Sequence, residues 1–265
     1  MTTETAHTGA AHILVERKGA VLWMTLNRPE VFNALTRAMY SKIEATCAEV
    51  ARDDAIRALV VTGAGDAFCA GADIEQFRRF DSVEDAIDYD ARGNDAFGAL
   101  ENVRVPTIAA IRGACVGGGA LLASSCDLRI ASPSVRFGMP IARTLGNCLS
   151  SRDVSRLIGL LGVPRTLDLM LTARLLPAIE LQTAGLLSEV TPDEASLLPR
   201  AAALAERIAS LAPLTQRATK RTIASLRRLE ERDERDLLAS CYLSADFHDA
   251  VAAFLAGRPP QWKGK

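Results

Sequence analysis

Between an apolar run at Thr107 to Ile111 and a helical pattern at Gly118 to Ser125 stands the segment Gly113-Ala114-Cys115-Val116-Gly117-Gly118-Gly119. A buried strand that passes through three consecutive glycines into a helix restricts the fold more than any other part of the chain. Two readings of the glycines stand side by side. They permit close packing of strand on helix, because glycine tolerates backbone geometries that other residues do not. Alternatively, they open a helix N-terminus whose free N–H groups favour an oxyanion. The run is not the dinucleotide fingerprint, which needs GxGxxG and a later acid, and no Lys-Ser or Lys-Thr closes it as a phosphate-binding loop.

The remaining chain supports an α/β core. His12 to Arg17 and Val21 to Leu26 alternate around Lys18-Gly19-Ala20 and predict a hairpin. Helical spacing runs from Asn33 to Ala51, and Arg57 to Thr62 reads as a buried strand stopped by Gly63-Ala64-Gly65. Ser82 to Val103 reads as a polar helix over the mouth of a site, with irregularity expected at Gly93 and Gly98. Leu128 to Ala131 completes the alternation of strand and helix. After Val190-Thr191-Pro192 the pattern turns wholly helical, at Asp193 to Leu211, Leu214 to Leu229 and Glu231 to Phe247. The division expected is a disordered tail over 1–11, a core over 12–192 and a helical region over 193–265.

The balance of charge excludes several classes of partner. With 31 basic and 32 acidic side chains, the net charge of −1 leaves no footprint for nucleic acid. No apolar run is long enough to span a bilayer, and Met1 to Ala11 lacks the features of a secretory or transit signal, so a soluble cytoplasmic protein is expected. The six cysteines show no CxxC pair, and reduced thiols with no metal are the expectation.

Several segments then fall in one recognisable order: Asn27-Arg28-Pro29, Asn33-Ala34-Leu35, Gly71-Ala72-Asp73, Gly117-Gly118-Gly119, Cys126-Asp127, Phe137-Gly138-Met139-Pro140, Leu171-Thr172-Ala173-Arg174 and Ala184-Gly185-Leu186. In this order the chain resembles the enoyl-CoA hydratase/isomerase, or crotonase, family over about His12 to Trp262. The resemblance implies an α/β spiral of repeated β-β-α units with a C-terminal helical oligomerisation region, assembled as a homotrimer or a dimer of trimers. It implies an acyl-CoA thioester as partner and no cofactor beyond the CoA that the substrate carries.

By the same resemblance, the backbone N–H groups of Ala72 and Gly118 hold the thioester oxygen. Ala70, Gly71, Asp73 and Ile74 lie near the adenine and pantetheine, and Phe254 with Arg258 reach in from the adjoining subunit. Arg28 lies near the pantetheine or pyrophosphate or, alternatively, ends the strand by pairing with a carboxylate. Asp73 reads as a helix cap rather than a base. The two glutamates that hydratases place over the double bond align with Leu121 and Ile141. Neither side chain transfers protons, and general acid–base catalysis contributes roughly two to four powers of ten.

In the polar loop from Ile141 to Ser151, Arg143 pairs with a substrate carboxylate or, as most arginines do, faces solvent or a subunit contact. Asn147 orients water or donates to developing charge. Cys148 reads as a structural thiol, with no histidine nearby in sequence. Two functional classes result. One is an acyl-CoA enzyme of the hydratase/isomerase type, including decarboxylase or hydrolase variants. The other is a non-catalytic acyl-CoA-binding protein in which Leu121 and Ile141 widen an apolar tunnel.

Overall fold

The computed structural model describes residues 11–226, 239 and 242–261. The expected tail over 1–10, most of the third C-terminal helix, Cys241 and Trp262 lie outside the described residues.

Two sheets are wound from one spiral. Strands β1 (Ile13–Lys18) and β2 (Val21–Leu26) form the hairpin, and β3 (Ala58–Gly63), β4 (Thr107–Ile111), β6 (Leu128–Ala131) and β9 (Glu189–Val190) extend it in parallel into a six-stranded sheet of order β1-β2-β3-β4-β6-β9. A smaller sheet holds β5 (Ala114–Val116), β7 (Arg136–Gly138) and β8 (Leu176–Pro177). Successive turns place one strand in each sheet: β4 then β5, β6 then β7. The preceding turn, after β3, reaches the small sheet through the isolated parallel bridge of Cys69 with Cys115. This is the repeated β-β-α spiral that the resemblance implies.

The strands read as unbroken apolar runs because the large sheet is covered on both faces. Side chains alternate between the faces. Leu22, Met24, Leu26, Leu59, Val61, Ala109 and Ile111 enter one core, while Val21, Trp23, Ala58, Val60, Ile108 and Ala110 enter another. The first core is covered by α1 (Arg37–Arg52), α2 (Val83–Asn102) and α3 (Gly118–Ser124). The second is covered by α7 (Leu197–Ala209), through Leu197, Ala201, Ala205 and Ile208. At roughly 1.5–3 kcal/mol for each large side chain fully withdrawn from water, these layers supply most of the drive to fold. The first helix of the 193–265 region therefore packs on the core.

Three local departures from the sequence reading have physical causes. Helix α1 starts at Arg37 rather than Asn33, since Phe32 (φ 51°) and Asn33 (φ 59°) are left-handed and Thr36 caps the helix by accepting from Met39 N. Helix α2 runs without interruption through Gly93 and Gly98, held at its start by a reciprocal pair between Ser82 and Asp85. Gly98 instead makes room for Arg152, whose Nη2 would lie 2.6 Å from an added Cβ. The polar loop contains a short helix, α4 (Ile141–Thr144), and leads into α5 (Ser151–Thr172), which kinks at Gly162 (φ 71°).

Past α5 come α6 (Ala178–Thr183), α8 (Pro213–Leu226) and α9 (Ala245–Leu255). Tyr242 and Phe247 join Phe77, Phe80 and Tyr89 in an aromatic cluster with neighbouring centroids 4.8–6.5 Å apart. That cluster lays α9 over the 3₁₀ turn Ile74–Arg79 and closes a cavity beneath it.

Candidate active site

The cavity has a volume of about 600 Å³. Ala70 to Ile74 form one wall, Val116 to Gly118 and Leu121 a second, and Pro140, Ile141 and Leu145 to Leu149 except Gly146 a third. Tyr40, Tyr89 and Tyr242 face it from α1, α2 and the approach to α9.

Backbone pairing sets the first wall. Leu35 N donates to Gly71 O at 2.7 Å and Asp73 N donates to Leu35 O at 2.9 Å. In a strand-like segment alternate amides point to opposite sides, so the Ala72 N–H faces away from Leu35. Gly71 takes φ 103°, a conformation unfavourable for a side chain. An added Cβ there would stand 3.1 Å from Val116 O and 3.5 Å from Gly118 N. The two walls thus approach backbone to backbone.

The three glycines of the second wall have separate reasons. Gly117 precedes α3 at φ 54°, ψ −126°, which only glycine adopts comfortably. Gly119 lies against the opposite chain, where a Cβ would come within 2.3 Å of Cys69 O. Gly118 has neither the left-handed backbone of Gly117 nor the crowding of Gly119. A Cβ there would make ordinary contacts, 3.4 Å to Leu35 Cδ1, 3.5 Å to the Tyr40 hydroxyl and 3.7 Å to Ala72 N. Neither the Ala72 nor the Gly118 N–H donates to a protein acceptor among the described residues. Close strand-to-helix packing and one open donor therefore occur in the same run, on the adjacent glycines Gly119 and Gly118.

The other expected residues divide clearly. Ala70, Gly71, Asp73, Ile74, Leu121, Ile141, Asn147 and Phe254 line the cavity, whereas Arg28, Arg143 and Arg258 do not. Arg28 is committed to Ala34 O at 2.7 Å and Asp73 Oδ2 at 2.8 Å, the strand-end ion pair rather than an open cation. Asp73 is also the cap of the 3₁₀ turn, accepting from Glu75 N at 3.3 Å. Arg143 is exposed on α4. Phe254 lines the cavity of its own chain, because the aromatic cluster folds α9 back across the site.

Leu121 is 5% exposed and faces the cavity from α3, and Ile141 faces it from α4. Both positions are apolar. Asn147 donates through Nδ2 to the Tyr242 hydroxyl at 3.1 Å, while its buried Oδ1 has no partner among the described residues.

Sequence reasoning missed the polar residues that share this space. Tyr40 and Tyr89 hydroxyls lie 3.4 Å apart, and burial raises both phenols above their usual range. Asp153 lies in the first turn of α5, nearly buried and bonded to Arg156 Nη1 at 2.6 Å; burial raises its carboxyl. Arg156 in turn holds Glu101 at 2.9 Å and 3.0 Å. Three tyrosines in 265 residues, spaced far apart, gave no sequence signal because only the spiral brings them together. The described cysteines are reduced; burial pushes the Cys47, Cys69 and Cys126 thiols up to about 12, and half-buried Cys148 lines the cavity. Among the described residues no helix is long and apolar enough to cross a membrane.

Comparison with known proteins agrees with this architecture. The family model described as enoyl-CoA hydratase/isomerase matches residues 16–265. A protein of Mycobacterium bovis named as a probable enoyl-CoA hydratase is 37% identical over 94% of this chain and 97% of its own. A short-chain-enoyl-CoA hydratase of Clostridium acetobutylicum is 32% identical over 93% of this chain and 95% of its own. The crystal structure of an enoyl-CoA hydratase/carnithine racemase from Magnetospirillum magneticum superposes with a TM-score of 0.79 at 31% identity, covering 97% of each chain.

Proposed function

The chain belongs to the enoyl-CoA hydratase/isomerase family, and on that premise we propose that it holds an acyl-CoA thioester in this cavity and stabilises the enolate through the Ala72 and Gly118 N–H groups. It is an acyl-CoA enzyme of the hydratase/isomerase type, and such enzymes need no cofactor beyond the CoA of the substrate. The observation that carries the enolate reading is the pair of amides, Ala72 N–H and Gly118 N–H, that donate to no protein acceptor among the described residues and stand on facing walls of one cavity. Donors fixed before reaction stabilise developing charge without reorganisation, and loss of one typically costs about 3–4 kcal/mol in the barrier.

In this reading Leu121 and Ile141 take the positions of the hydratase glutamates, so the α-proton passes to water in the cavity rather than to a carboxylate above the enolate. Asn147 Oδ1 orients a water or a substrate hydroxyl. Arg28 and Asp73 hold the wall that carries Ala72, while Ile74, Phe254 and Ala70 shape the thioester channel. The exposed apolar Leu167 and Leu171 on α5 and Leu214 on α8 support assembly as a homotrimer or dimer of trimers. The reduced cysteines support a cytosolic location.

The apolar lining at Leu121 and Ile141 also favours a second reading, an acyl-CoA-binding protein without turnover. Incubation with crotonyl-, butyryl-, 3-hydroxybutyryl- and malonyl-CoA in D₂O, followed by mass spectrometry, separates the two. Deuterium at the α-carbon of recovered thioester or product is the expected signature of an enolate. Saturable binding with no deuterium in any thioester contradicts the enolate reading and selects the binding protein.

A further inference from the structure

We propose that the Tyr40 hydroxyl is a third donor to the thioester oxygen, a catalytic side chain completing a site of two backbone N–H groups and one phenol. The inference rests on the enolate reading above and names a group that this reading lacks.

The geometry is specific. The point where a Gly118 Cβ would stand is 3.5 Å from the Tyr40 oxygen and 3.7 Å from Ala72 N, and Gly118 N adjoins it by covalent structure. The three donors thus lie around one point on the cavity lining. A thioester oxygen that enters the cavity beside this point, clear of the Gly118 backbone, accepts from all three.

Hydrogen counting gives the second argument. Tyr40 and Tyr89 carry one hydroxyl hydrogen each, and their contact at 3.4 Å uses one of the two. No other hydrogen-bond partner of either phenol is found among the described residues, with Tyr40 buried and Tyr89 half-buried. One donor hydrogen is left over on the cavity side. In the proposed arrangement Tyr89 donates to Tyr40, which leaves the spare hydrogen on Tyr40, whose oxygen is 3.5 Å from the Gly118 Cβ point. In a chain of hydrogen bonds each member polarises the next, so Tyr89 strengthens Tyr40 as a donor and acts as its positioning residue. Burial keeps both phenols protonated at neutral pH, the state in which they donate. No bond to hydrogen is broken in this role, so no proton acceptor is required of the tyrosines.

The test uses the full-length protein and butyryl-CoA labelled with ¹³C at the thioester carbonyl. In the wild type, infrared difference spectroscopy should show the bound carbonyl stretch lowered relative to solution. In Tyr40→Phe the lowering should retreat and α-deuterium uptake should slow about 100-fold, the effect of losing one such donor. Thioester affinity should stay within about threefold, since the donor acts mainly on the charged state. Tyr89→Phe should fall between wild type and Tyr40→Phe in both readings. Uptake and carbonyl frequency unchanged in a folded Tyr40→Phe would overturn the inference while leaving the enolate reading intact. No uptake by the wild type would instead remove the enolate reading and this inference with it. Should Tyr40→Phe fail to fold, a crystal structure of the wild type with butyryl-CoA decides. An oxygen-to-oxygen distance near 2.7 Å supports the donor, and one beyond 4 Å overturns it.

Discussion

Arg28 Nη1 bridges Asp73 Oδ2 at 2.8 Å and Ala34 O at 2.7 Å, and so ties the end of β2 to the segment that carries the Ala72 amide. The pair is largely sheltered, with side-chain exposures of 15% and 22%. It therefore acts on the position of a backbone donor one residue away. Arg28→Ala should lower stability by about 1.5–3 kcal/mol, the usual range for a hydrogen-bonded charge. Asp73→Ala should cost a similar amount, and the double variant distinctly less than the sum, because both changes break one interaction. Urea unfolding of the four proteins measures the coupling. Strict additivity would show that the pair does not hold the wall.

A carboxylate restored at position 121 should recover water addition. Leu121 faces the cavity from α3, so Leu121→Glu directs its carboxyl to the thioester. The expected gain in crotonyl-CoA hydration is about 100-fold, the lower end for general acid–base catalysis since Ile141 stays apolar. Burying the new group should cost about 1–3 kcal/mol in stability. Loss of enoyl absorbance with time gives the rate. No gain in a folded Leu121→Glu would show that this side chain does not approach the reacting carbons.

The cavity reports its own occupancy through Cys148. Cys69 and Cys126 are fully buried with thiols pushed up to about 12, so they stay protonated and shielded at pH 8, whereas Cys148 is half-buried on the lining. Iodoacetamide at pH 8 should label Cys148 first among the described cysteines. Butyryl-CoA at ten times its Kd should slow that labelling about 11-fold by simple occupancy. Peptide mass mapping checks both points. Labelling that ignores the thioester would place the acyl group elsewhere.

The two inner glycines should separate folding from function. Gly119→Ala would force a Cβ to within 2.3 Å of Cys69 O, where backbone has to move, and should destabilise by more than about 3 kcal/mol. Gly118→Ala makes only contacts of 3.4–3.7 Å and should fold nearly as well as the wild type. Thermal melting distinguishes them. Equal stability of the two variants would contradict the close approach of the walls.

What the sequence disclosed follows from the range of the interactions involved. The hairpin at Gly19, the buried strands at Val60 and Ile108 and the helix after Gly118 are encoded by local pattern, and each formed where expected. The cavity wall at Ala70 to Ile74 was legible because its chemistry is in the backbone, marked by Gly71 and the cap Asp73. Long-range pairing was not legible. Arg28 read either as a cation for the CoA or as the strand-end partner of a carboxylate, and the carboxylate that decides it lies 45 residues away. Tyr40 and Tyr89 were silent since nothing in their neighbours announces a meeting of α1 with α2. Phe254 lines the cavity of its own chain because aromatic contacts that join positions distant in sequence fold α9 over it.

The most direct measurement compares α-carbon deuterium uptake by wild type and Gly118→Ala, in D₂O with the same panel of CoA thioesters. The methyl would occupy the volume shared by the Ala72 N–H, the Gly118 N–H and the Tyr40 hydroxyl while leaving the fold in place. Uptake by the wild type and a fall of at least about 100-fold in the folded variant is the predicted result. Equal uptake by both proteins would contradict a thioester oxygen held before Gly118.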